Sequence, residues 1–171
     1  MSRPTVNGLL IPDLLVALIR RCQWVHLGDA RLRELIPFLV DPVDFLTAPE
    51  AMARESSWHL ADDPRLSAVF HLVRGGRVPE PVELPWLDAD RAFFVAVNRW
   101  PGDDVGIALD YRTGSDDPRV IAGDWGSGQR CVWREVAATF SGFVRLLGLE
   151  CHDAEPGAAP GPARDSGFGT S

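Results

Sequence analysis

Between residues 88 and 133 the chain alternates apolar runs with clusters of turn formers, and this alternation limits the fold more than any other feature. Residues 92–97 are a continuous apolar run, and Val105, Ile107, Leu109 and Tyr111 alternate with Gly106, Ala108 and Asp110, which is the two-residue period of a strand. Pro101-Gly102-Asp103-Asp104 separates them, dense in turn residues and short enough for an antiparallel hairpin. Residues 119–122 and 129–133 repeat the arrangement around a Gly-rich loop at 123–128. A meander of about four strands is predicted.

Helical spacing dominates on either side. Pro12 suits a first turn, and Leu14, Leu15, Leu18, Ile19 and Cys22 then share one face while Asp13 and Arg20 face away. Asp29 is the expected N-cap of a second helix that carries Leu32, Leu35 and Ile36 inward until Pro37 disturbs it, with a short helix or turn after it. Thr47 and Glu50 have the form of a capping box for a third helix over residues 48–55. Residues 66–73 fit a helix or a strand equally, and Gly75-Gly76 with Pro79, Pro81 and Pro85 marks a long connection. Val136, Phe140, Phe143, Val144 and Leu147 predict a C-terminal helix over the sheet, closed by Gly148.

The expected fold class is therefore α+β: an antiparallel meander sheet of four to six strands packed by N-terminal helices and one C-terminal helix. At 171 residues the chain suits one domain, read here as residues 1–152, with a disordered tail at 153–171 rich in Gly, Ala, Pro and Ser. The longest apolar run, residues 8–19, is interrupted by Pro12 and Asp13, so no membrane span is expected. No small-residue cleavage site follows it, which gives no secretory signal and a cytoplasmic location. Cys22, Cys131 and Cys151 are odd in number and lack paired spacing, so reduced, mostly buried thiols are expected.

Little in the sequence points to catalysis. His26, His59, His71 and His152 form no metal-ligand spacing, and neither a metal nor a cofactor is expected. A hydrolase built from His59 or His71 with Ser67 lacks the strained elbow that exposes a serine nucleophile. Residues 123–128 lack a following Lys-Ser/Thr and lead into a strand, which favours a hairpin loop over a phosphate cradle. Asp88 and Asp90 favour a capping or solvent role over cation binding. All 17 basic residues are arginine, and the net charge of −7 argues against nucleic acid and for a basic protein partner.

The acidic pattern is more pointed. From Asp88 to Asp124 there are eight aspartates against four arginines, with Asp103, Asp104, Asp116 and Asp117 in predicted turns. Turns at one end of a meander share an edge, which with Asp124 makes a negative rim. Trp100 and Trp125 are then aromatic anchors of the kind enriched at binding hot spots. The plainer alternative is that aspartate favours turns and the tryptophans complete the core.

The runs LPWLDADRAFFVAVNRW, GDDVGIALDYR, DPRVIAGDW and VWREVAATFSGFVRLLGL, in that order, resemble the SUKH superfamily of bacterial toxin-immunity proteins and fungal regulators of cell-wall synthesis. Trp86, Gly102, Asp103, Leu109, Asp110, Val120, Trp133, Phe140 and Phe143 carry the likeness over residues 84–148. It implies a sheet backed by helices and an activity of binding without chemistry, with no catalytic residues. The expectation is an immunity protein that occludes a cognate toxin, a basic domain such as a nuclease. The alternatives are a housekeeping regulator or scaffold of the same family and, in another class, a small hydrolase using carboxylates such as Asp103, Asp110 and Asp124.

Overall fold

The computed structural model describes residues 3–60, 84–100, 105–126 and 131–149. The stretch at 66–73, the long connection up to residue 83, Ser67, His71, Asp103, Asp104, Cys151, His152 and the tail at 153–171 lie outside them. The described residues form an α+β fold: a five-stranded antiparallel sheet, a two-stranded hairpin and four α-helices.

The chain opens with β1 (Thr5–Val6) and β2 (Leu9–Leu10), joined through Asn7 and Gly8 at φ 50° and 84°. Asn-Gly is the pair that tolerates two left-handed residues in a tight hairpin. Helix α1 (Asp13–Arg20) buries Leu15 and Leu18, and α2 (Asp29–Leu35) buries Leu32. Gly28 is the N-cap of α2, and Asp29 is its first residue. A turn follows at residues 37–38, as predicted, and then a short strand that the sequence does not signal, β3 (Val43–Phe45). Helix α3 (Pro49–Leu60) then runs five residues past the predicted end. Of the two described cysteines, Cys131 is buried but Cys22, at φ 55° after the end of α1, is exposed, against the expectation of mostly buried thiols.

Asp88 accepts a hydrogen bond from the Asp90 backbone N–H and caps a 3-10 turn at Ala89–Arg91. Strands β4 (Ala92–Asn98), β5 (Gly106–Asp110), β6 (Arg119–Asp124) and β7 (Val132–Ala137) follow as a meander, in the spatial order β3-β4-β5-β6-β7. Every position of β5 and β6 and all but the last of β4 is buried. A strand apolar on both sides, as residues 92–97 are, needs cover on both faces.

Register and the two-residue period put Phe93, Ile107, Leu109 and Val120 on one face, and Phe94, Gly106, Ala108, Ile121 and Trp133 on the other. Trp24 lies among rings on the first side, stacked on Phe45 with centroids 4.6 Å apart and tilted against Phe140 at 5.8 Å. Its buried indole N–H donates to the Leu46 carbonyl at 3.1 Å. Helix α3 meets the second face, where His59 packs edge-on against Phe94. The register of β4 shifts between Phe94 and Ala96, and the Phe94 N–H donates to the buried Ser56 Oγ at 2.9 Å. A bulge removes a ladder partner, so the side chain of α3 replaces it.

The C-terminal helix, α4 (Phe140–Leu147), buries Phe140, Phe143, Val144 and Leu147 and ends at Gly148 with φ 70°, as its spacing predicts. Val136 is the exception, since it belongs to β7 and not to the helix. Thr139 fixes the start of α4 by accepting from the Gly142 N–H at 3.1 Å, so the apolar period that includes Val136 crosses a strand-to-helix boundary.

Candidate functional site

An antiparallel meander sends successive turns to opposite ends, and this separates the aspartates that composition groups together. The β5–β6 connection, with Asp116 and Asp117, lies at the end marked by Ala92, Asp110 and Arg119. Trp100, Asp124 and Trp125 lie at the other end, beside Asn98, Gly106 and Val132. A single rim containing all of them is not formed.

The individual aspartates also have structural work. Asp117 accepts from the Ser141 N–H at 2.8 Å and from Ser141 Oγ at 2.6 Å, which ties the β5–β6 connection to the first turn of α4. Asp124 is buried, accepts from the Gly126 N–H at 2.6 Å and pairs with Arg134 of β7 at 2.5 Å. Asp116 is exposed and 4.0 Å from Arg3. Trp125 is partly buried and packs against the core.

Asp110 is the most deeply placed carboxylate among the described residues. Its side chain is 0% exposed, beside Arg112 at 4% and Arg119 at 9%. Arg112 donates through Nε and Nη2, Arg119 through Nε and Nη2, and the Arg112 backbone N–H adds another hydrogen bond. Burial pushes the Asp110 carboxyl up, but these donors outweigh it and hold the group below the usual carboxylate range. Arg112 also donates to the Trp86 carbonyl at 2.9 Å. A carboxylate saturated by donors and closed to solvent is suited to fixing the β5–β6 pair, not to proton transfer with a substrate. Tyr111 beside it donates to the Leu10 carbonyl and joins the β1–β2 hairpin to the sheet.

Trp100, by contrast, is 58% exposed at the β3–β4 end. Immediately before it, Arg99 donates from Nη1 and Nη2 to both oxygens of Asp29 at 2.9 and 3.1 Å, from Nε to Asp44 at 2.8 Å, and from Nη2 to the Val43 carbonyl at 3.2 Å. This bidentate clamp binds the first residue of α2 to β3 and β4. The hydrogen bonds that Arg99 donates lower the Asp29 pKa, and donating to Asp44 and Asp29 raises that of Arg99. Arg99 N–H donates to the Pro42 carbonyl, and the Asn98 side-chain amide donates to the Trp100 carbonyl at 2.7 Å. The backbone is thus tied at Arg99, just before the indole, and at the Trp100 carbonyl. Val40, on the segment leading into β3, and Val25, beside the His26 that faces Asp29 at 3.4 Å, are each 48% exposed.

The β3–β4 end therefore combines the exposed Trp100 indole with Asp44, which is 59% exposed and leaves one oxygen beyond the Arg99 contact. Sequence reasoning selected Trp100 but missed Arg99, Asp29 and Asp44. They come from elements 55 and 70 residues apart in the chain, and no local pattern joins them. Among the described residues no three His, Cys, Asp or Glu side chains gather to hold a metal ion, and no helix is long and apolar enough to cross a membrane. No family model, curated protein or solved structure matches the chain.

Proposed function

We propose that this protein is a binding module that acts by occluding another protein, as an immunity protein does a cognate toxin, with the β3–β4 end as its contact surface. The observation that carries the reading is Trp100: a large aromatic side chain, 58% exposed, on a backbone fixed by the Arg99 clamp. A rigid aromatic anchor binds with little loss of conformational entropy, which is why tryptophan and arginine dominate binding hot spots. The net charge of −7 and the exposed Asp44 favour a basic partner surface, and association with it slows as salt rises. The saturation of Asp110 and the pairing of Asp124 favour binding over carboxylate-based hydrolysis.

The test is co-expression with a candidate toxin encoded beside this protein's gene, where the toxins of SUKH immunity proteins are typically found. The unaltered protein protects the host, Trp100→Ala at equal soluble level protects poorly, and Trp58→Ala, which removes an equally exposed indole from α3 (59%), protects normally. Failure of the unaltered protein to protect, or full protection by Trp100→Ala, overturns the proposal.

A further inference from the structure

Away from the Trp100 end, an apolar cleft of about 230 Å³ opens between the N-terminal hairpin, α1 and the start of α3, lined by Pro4, Ile11, Val16, Ile19, Arg20 and Pro49. Five of these six residues are apolar. The inner face of α1, Leu15 and Leu18, goes to the core, and Val16 and Ile19, partly buried against that core, form the apolar wall of the cleft. The sixth residue, Arg20, is exposed at the last turn of α1. The carboxylates nearest in sequence are engaged elsewhere: Asp13 pairs with Arg3, and Asp29 with Arg99. An apolar cleft with a cation at its lip suits a ligand with an apolar tail and an anionic head.

We propose that this cleft binds a medium-chain carboxylate, with the alkyl chain between Val16, Ile19 and Pro49 and the carboxylate beside the Arg20 guanidinium. The roughly 230 Å³ is several times the roughly 30 Å³ share of one water molecule, so the cleft has room for a short alkyl chain, and octanoate is the probe. The site is independent of the proposed function, because its residues share none with the β3–β4 end.

The experiment is a titration of the full, 15N-labelled chain with octanoate, octanol and octylammonium, followed by amide chemical shifts. Octanoate gives saturable shifts centred on Ile11, Val16, Ile19 and Arg20. Octanol binds two- to fivefold more weakly, the range of an exposed ion pair, and octylammonium more weakly still. Hexanoate, two methylenes shorter, loses about 15-fold, at roughly fourfold per methylene. Arg20→Gln removes the preference for octanoate over octanol while leaving octanol binding unchanged. Val16→Phe, with its fold checked by circular dichroism, reduces binding of both, and Val16→Met does the same should the phenylalanine variant not fold. Absence of saturable shifts, equal binding of octanoate and octylammonium, or shifts centred elsewhere overturns the proposal.

Discussion

Replacing Asp110 with alanine tests whether the buried charge cluster is structural. The substitution removes the carboxylate between two arginines whose side chains are only 4% and 9% exposed. Breaking a buried ion pair costs about 3–5 kcal/mol, chiefly because an uncompensated charge remains in a dry site. Arg119 keeps Glu135 at 3.8 Å and Arg112 keeps the Trp86 carbonyl, so the lower half of that range is expected. For a domain of this size each kcal/mol moves Tm by about 2–4 °C, which gives a fall of roughly 6–16 °C. The assay is urea and thermal unfolding at pH 7, followed by circular dichroism. Adding Arg119→Met to Asp110→Ala restores part of the loss, because it removes one stranded charge. The pH dependence has a definite sign. The folded pKa of Asp110 lies below its unfolded value, so its stabilisation is present above about pH 4 and is lost as pH falls through the lowered folded value. Asp110→Asn therefore loses less stability than the unaltered protein between pH 4 and pH 2. A loss under about 1 kcal/mol for Asp110→Ala, or identical acid profiles, refutes the reasoning.

Two further perturbations address the platform. A Cβ on Gly106 lies 2.5 Å from Phe94 Cε1 and 3.0 Å from the Ala96 carbonyl oxygen, so Gly106→Ala displaces a buried ring and costs about 1–3 kcal/mol, measured as a lower urea midpoint. Arg99→Met removes the clamp on Asp29 and Asp44, and the amides at the start of α2 exchange faster with solvent while those of β5 and β6 do not change.

The sequence carried the fold where local chemistry decides it. Helical spacing identified the faces of α1 and α4, and Gly148 marked the stop because a left-handed residue is needed there. Alternation identified β5, and the apolar run identified β4. The β1–β2 hairpin was legible in Asn7-Gly8 but was hidden by the apolar run that begins at Gly8. With three residues, β3 is too short for a period to register, and its pairing with β4 decides its conformation. Site residues were harder to read. Trp100 stood out by type, but its support by Arg99 depends on residues remote in sequence. Asp110 continues the face of Gly106 and Ala108, yet its pairing with Arg119 follows from the β5–β6 register. The same antiparallel register separates Asp116 and Asp117 from Asp124, which a count of aspartates does not reveal.

The most direct measurement of the binding account is an isothermal titration of the purified candidate toxin encoded beside this protein's gene against this protein and its single-tryptophan variants. Removal of a hot-spot aromatic costs about 2 kcal/mol or more, so Trp100→Ala is expected to bind at least about 30-fold more weakly at unchanged Tm, and Trp58→Ala within about threefold of the unaltered protein. Equal affinity for the Trp100→Ala variant and the unaltered protein contradicts the account.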